Sequence, residues 1–212
     1  MSASDKPRIF KGLGGPPRLR PIREDEITAR HREAIRESMR FMDDDEEVDD
    51  DAPLHPFPAT MCRHVEMFDR YMAFGMNILK NALLSPRDRE ILTLRTGWLC
   101  DAPFEWGAHV KLGREAGLSD DEIERIKNGP DAGGWSTLDR ALLSAVDEMH
   151  HDSTIHDETW DVLAAHYSDE QLIELPMIVG QYHMTAFFQN ALRFRPVNDA
   201  DGRELPEEES VA

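Results

Sequence analysis

The chain has 212 residues and carries 42 acidic side chains against 24 Lys and Arg, a net charge of −18. That length suits one domain with extensions, and that charge excludes nucleic acid and anionic membrane as partners, because both are bound through positive charge. No apolar run approaches the roughly 18 residues of a membrane-spanning helix and no signal-type segment opens the chain, so the expected location is the cytoplasm, with Cys62 and Cys100 both reduced.

Residues 1–23 are rich in Gly, Pro and Arg (Lys11-Gly12-Leu13-Gly14-Gly15-Pro16-Pro17) and read as an extended basic arm, either a disordered tail or a strap on an acidic neighbouring subunit. Residues 24–57 hold one amphipathic helix, with Ile27, Ala34, Ile35, Met39 and Met42 at helical spacing, and then an acidic linker. The nine residues from Asp43 to Asp51 include eight carboxylates, whose mutual repulsion keeps the segment solvated. It has neither the glycine turn nor the terminal Glu of a calcium-binding loop.

A main helical domain is expected over 58–195. Its first helix, 58–81, is apolar on more than one side and Met-rich, which suits a core or an interface; Cys62 and His64 on it read as structural. Ser85-Pro86 opens the next helix, and Asp101-Ala102-Pro103 restarts the chain in another, with Asp101 as the expected cap. Ser119 and Glu122 form a capping box, as do Ser168 and Gln171, while Ser136 opens a helix through Met149. His150, His151 and His156 follow; as a metal cluster they would all have to converge. The last helix, from Ser168 to about Phe194, is interrupted by Pro176 and carries Gln181, Tyr182, His183 and Gln189 in an apolar run. From 196 on the tail is acidic. Periodicity is helical throughout, so the fold class is all-α, with seven or eight helices.

The chemistry concentrates where two helices meet. Glu90 stands among Ile91, Leu92 and Leu94, whereas Glu105 and His109, four apart, share one helix face beside Trp98, Phe104 and Trp106. An imidazole titrates near neutrality and moves protons. Glu90 is placed to hold it in one tautomer, and two adjacent carboxylates raise each other's affinity for a proton, leaving one as an acid. The same residues also admit a structural role, with Glu105 and His109 as a surface pair and Glu90 bridged to Arg87, Arg89 or Arg95. No activated nucleophile, phosphate loop or zinc motif accompanies them.

This spacing resembles the carboxymuconolactone decarboxylase and alkyl hydroperoxidase D superfamily, over roughly Leu83 to Arg195 and most strongly from Arg87 to Leu118. In the peroxidase branch a Glu precedes a Cys-x-x-Cys pair by twelve residues, and a His follows four residues after. Counted from Glu90, those positions hold Ala102, Glu105 and His109, which is similar to the decarboxylase branch, with its Glu-Trp-Gly-x-His. The resemblance implies an alkyl hydroperoxidase D-like fold of six core helices assembled as trimers or hexamers, with the N-terminal helix and arm as additions. It further implies a lyase needing no cofactor and no metal. The substrate is a carboxylated lactone or aromatic-derived acid whose conjugated ring takes up the electrons of a departing carboxylate. Glu90, Glu105 and His109 are then catalytic. Trp98, Trp106, Tyr182 and His183 line the substrate, and Arg95 or Arg193 holds its carboxylate. Two other readings stand beside this one. The first is a peroxidase or thiol oxidoreductase of the sister branch working through Cys100. The second is a non-catalytic oligomeric protein that binds small molecules.

Overall fold

A computed structural model of the chain describes residues 16–40, 56–195 and 201–202. The arm up to residue 15, the acidic run, and the tail other than 201–202 lie outside the described residues, and with them the expectations attached to those segments. Among the described residues there are nine α-helices and no strand, so the fold is all-α. Among the described residues no helix is long and apolar enough to cross a membrane. The helices fall into two compact units, one over residues 17–82 and one from Leu83 onwards.

The first unit contains α1 (Ala29–Arg40), α2 (Pro56–Met61) and α3 (Val65–Asn81). The single helix expected over 58–81 is broken by a tight turn at Cys62–His64, where the His64 ring nitrogen accepts the N–H of Met67 and caps α3. Ala34, Ile35, Cys62 and Phe68 form its core, with Ile22, Phe57, Met61, Val65 and Met72 packed around them. Arg30 on α1 binds Glu66 at 2.9 Å and Asp69 at 2.8 Å on α3. Burial pushes the Cys62 thiol up to about 11, so it stays protonated and unreactive at neutral pH.

The second unit contains α4 (Pro86–Leu99), α5 (Pro103–Glu115), α6 (Asp120–Ile126), α7 (Thr137–Asp152), α8 (Asp157–Ala164) and α9 (Asp169–Leu192). Helix α4 is its axis: every residue from Arg89 to Gly97 is buried, and the helix packs on α5, α7 and α9. Ser85 caps it through the Asp88 N–H, with Pro86 in the first turn. Glu174 of α9 accepts the N–H groups of Leu83 and Leu84, each at 2.8 Å from one carboxylate oxygen, and so ties down the approach to α4. The capping boxes of α6 (Ser119, Glu122) and α9 (Ser168, Gln171) are both formed.

Two local expectations differ from the structure. Asp101 is not the cap of α5; Ala102 occupies that place without a side-chain bond, and Asp101 makes the turn itself, with φ of +50°. Asn190 of α9 steadies this turn by donating to the carbonyls of Cys100 at 2.9 Å and Asp101 at 3.2 Å. Helix α7 runs on past Met149 to Asp152, which keeps His150 and His151 inside the helix.

Candidate active site

Helix α4 delivers Glu90, α5 delivers Glu105 and His109, and α9 delivers Tyr182 and Gln189, seven residues apart and therefore on one helix face. All five side chains are buried, Glu90 completely. They form one chain of contacts. His109 Nδ1 lies 2.7 Å from Glu90 Oε2, and its Nε2 lies 3.2 Å from Glu105 Oε1. Gln189 Nε2 donates to Glu105 Oε2 at 2.8 Å, and Arg89 Nε donates to Glu90 Oε1 at 3.0 Å. The Tyr182 ring meets the imidazole edge to face, with centroids 4.8 Å apart.

A carboxylate on each ring nitrogen sets the charge of this cluster. Burial by itself lowers the imidazole pKa, but Glu90 at one nitrogen and Glu105 at the other outweigh it and raise it to about 10. Burial likewise pushes the Glu90 carboxyl up, and His109 and Arg89 reverse this, holding it below the usual carboxylate range. At neutral pH the proton therefore sits on His109, as an imidazolium clamped between acceptors. For Glu90 the expectation of a protonated carboxylate gives way to this: the opposite charges of His109 and Arg89 outweigh its burial. Burial, followed by the two carboxylates, drives the Tyr182 phenol well above its ordinary value, so it remains a neutral hydroxyl.

The remaining candidates lie elsewhere. Arg95 does not offer its guanidinium to a ligand. Its Nε and Nη2 grip Asp147 at 2.6 and 2.8 Å, and its Nη1 donates to the carbonyls of Ile126 at 2.9 Å and Lys127 at 3.0 Å. It clamps the end of α6 to α7. Trp98 and Trp106 pack on each other edge to face at 5.4 Å, with Lys127 over both rings at 5.4 and 5.2 Å. Instead of reaching the triad, His183 points its Nε2 at His150 Nδ1, 2.9 Å away. The grouping of His150, His151 and His156 does not converge, because His151 donates to the Asp147 carbonyl and His156 binds Asp152 and Glu148.

Sequence reasoning missed the Gln189–Glu105 bond. The available signal was a glutamine in an otherwise apolar helix, one face with Tyr182. Gln189 Oε1 is buried with no hydrogen-bond partner among the described residues, an acceptor left open beside the triad.

Residues 66–148, from α3 into α7, match the model of the carboxymuconolactone decarboxylase family. Over that segment the chain is similar to the carboxymuconolactone decarboxylase family. A crystal structure from Agrobacterium tumefaciens, of a protein of unknown function named as a candidate antioxidant defence protein AhpD, shares the fold at 24% identity and a TM-score of 0.57. The match covers 62% of this chain and 90% of that one. No curated protein matches the chain. Glu90 and His109 are the pair joined at 2.7 Å. Glu105 is the carboxylate on the other ring nitrogen. Ala102, ahead of α5, is fully buried.

Proposed function

We propose that this chain is a cofactor-free lyase, a decarboxylase or related C–C lyase, acting on a carboxylated lactone or aromatic-derived acid through Glu90, Glu105 and His109. The observation that carries the reading is one buried imidazole with a carboxylate on each nitrogen. The substrate's carboxylate leaves as CO2, and the electron pair of the broken C–C bond moves into the conjugated lactone carbonyl. The dienolate carbon then takes the proton from His109 Nε2, and solvent returns a proton to the ring. The two contacts of His109 differ in a way that suits this. The 2.7 Å bond to Glu90 fixes the ring, and the looser 3.2 Å contact to Glu105 is the one a substrate carbon can replace. Gln189 keeps Glu105 in place, and its open Oε1 is available to a substrate hydroxyl or water. Tyr182 supplies a neutral wall against the imidazolium.

The sister-branch peroxidase is the weaker reading. Its cysteine positions hold Ala102 and Glu105, and burial pushes the Cys100 thiol up to about 11, away from the thiolate a peroxidase needs. Self-association is part of the proposal: Ile173, Met177, Met184 and Phe187 leave an apolar stripe along α9, with Ile173 68% and Phe187 64% exposed. Light scattering on the purified chain tests it, and a monomer would remove it.

The function is tested by turnover on a panel of carboxylated lactones and aromatic acids, with mass spectrometry following loss of a one-carbon fragment. His109→Ala and Glu105→Gln are run alongside. Release of CO2 or formaldehyde that disappears in both variants supports the assignment. Activity that survives both substitutions overturns it.

A further inference from the structure

Away from the triad, Cys100 Sγ and the ring nitrogens of His150 and His183 all lie within 4.8 Å of one another. Each comes from a different place: the end of α4, the last turns of α7 and the middle of α9. All three are half-buried, so ions can enter while bulk water is restricted.

Two features aim the donors inward. His183 Nδ1 lies 2.9 Å from the Val179 carbonyl, which can only accept, so Nδ1 carries the hydrogen and Nε2 presents its lone pair toward His150 and Cys100. A backbone carbonyl on the outer nitrogen is the arrangement that orients histidine ligands in metal sites. Asn190, seven residues after His183 on the same face of α9, holds the carbonyls of Cys100 and Asp101 and so fixes the turn that presents the sulfur. Helix α9 thus supplies one donor and braces the turn that carries another.

We propose that Cys100, His150 and His183 form a three-ligand site for a borderline divalent transition-metal ion, with Zn²⁺ the best fit. One sulfur and two imidazole nitrogens match the ligand preference of Zn²⁺ and not that of Mg²⁺ or Ca²⁺. Tetrahedral Zn²⁺ with ordinary bond lengths needs its nitrogen ligands about 3.3 Å apart. The observed 2.9 Å between His150 and His183 therefore has to open by only a few tenths of an ångström. On binding, the Cys100 thiol gives up its proton and His150 takes the tautomer with hydrogen on Nε2. Three protein ligands leave the fourth position to water or a small anion, as in zinc sites that carry out chemistry. The chain's many surface carboxylates are a competing, harder site for the same ions, and the thiolate distinguishes the two.

The test is a titration of the purified, metal-stripped full chain with Co²⁺, followed by displacement with Zn²⁺. Expected are a near-ultraviolet sulfur-to-cobalt charge-transfer band saturating at about one equivalent and visible bands of tetrahedral intensity. The charge-transfer band is lost in Cys100→Ser, and affinity falls more than about tenfold in His183→Gln and His150→Gln. Circular dichroism of each variant checks the fold, and a variant that does not fold leaves the other two to decide. Saturating Co²⁺ that produces no charge-transfer band overturns the proposal. So does a band that persists unchanged in Cys100→Ser, or an affinity unaltered in both histidine variants.

Discussion

Glu90 and His109 come from different helices and meet at 2.7 Å with no exposed surface on the carboxylate side. A charge pair so enclosed stabilises the fold only as a pair, since neither member retains water when the other is removed. Glu90→Gln should therefore destabilise the chain by about 3–5 kcal/mol. It should also bring the His109 imidazole down from about 10, since Glu90 is the largest influence raising it. Urea unfolding and NMR titration of the His109 ring check the two halves. An unchanged ring titration would remove Glu90 as the partner that holds the proton.

Stability should depend on pH in a defined direction. The His109 pKa is raised on folding, so its contribution is complete below its ordinary value of 6.5 and is lost as pH rises through about 10. The Glu90 pKa is lowered, so its contribution is present above its ordinary value of 4.5 and is lost as pH falls below that. Unfolding midpoints across a pH series should then show a plateau between these ordinary values and a decline on both sides. In His109→Gln the alkaline decline between neutrality and about pH 10 should flatten; a decline of undiminished slope would assign it to other groups.

Gln189 is a positioning residue for Glu105, to which it donates at 2.8 Å. Gln189→Leu removes a charge-assisted hydrogen bond in a buried place, at a cost of about 1.5–3 kcal/mol. If Glu105 works with His109, kcat should fall by up to about a hundredfold through loss of orientation while KM moves less. Gln189→Asn, which keeps the amide but shortens its reach, should lie between. A stability loss with kcat untouched would confine Gln189 to the fold.

Arg95 and Gly129 should be coupled. Gly129 has φ of +78°, and a Cβ there would fall 2.6 Å from Arg95 Nη2. Gly129→Ala should cost about 1–2 kcal/mol from the left-handed backbone alone, and more from displacing the guanidinium. Arg95→Ala leaves Asp147 and the two carbonyls without their donor, at about 3 kcal/mol or more. In the double variant the collision disappears, so the losses should fall short of additive by at least about 0.5 kcal/mol in a double-mutant cycle. Additive losses would mean that the backbone, and not the side chain, bears the whole effect.

Much of the fold was legible because its signals are local. Ser85, Ser119, Ser136 and Ser168 each open a helix as expected and accept an N–H of its first turn. Glu105 and His109, four apart on one helix, are near neighbours for the same local reason, and Glu90 meets His109 from α4. What could not be read depends on contacts between distant segments. Arg95 looked available for a ligand because Asp147, 52 residues on, is invisible as a partner until α7 packs on α4. His183 and Tyr182 are neighbours in sequence, yet adjacent residues on a helix point about 100° apart, and the one ring meets His150 while the other meets His109. Cys100, His150 and His183 have separations of 50 and 33 residues, which no metal motif of short spacing contains. The break at Cys62–His64 and the capping role of His64 were likewise hidden, since an apolar run does not reveal where its helix turns.

Helix α4 keeps Arg89, Glu90, Thr93, Arg95 and Thr96 buried along with its leucines. Such a segment gains little by forming early, because its ionic groups would lose hydration before any counter-charge arrived. Collapse of this unit should accordingly be concerted, with the central helix assembling only as α5, α7 and α9 close around it. In native-state hydrogen exchange, the α4 amides should then open only with the whole unit and never by fraying alone.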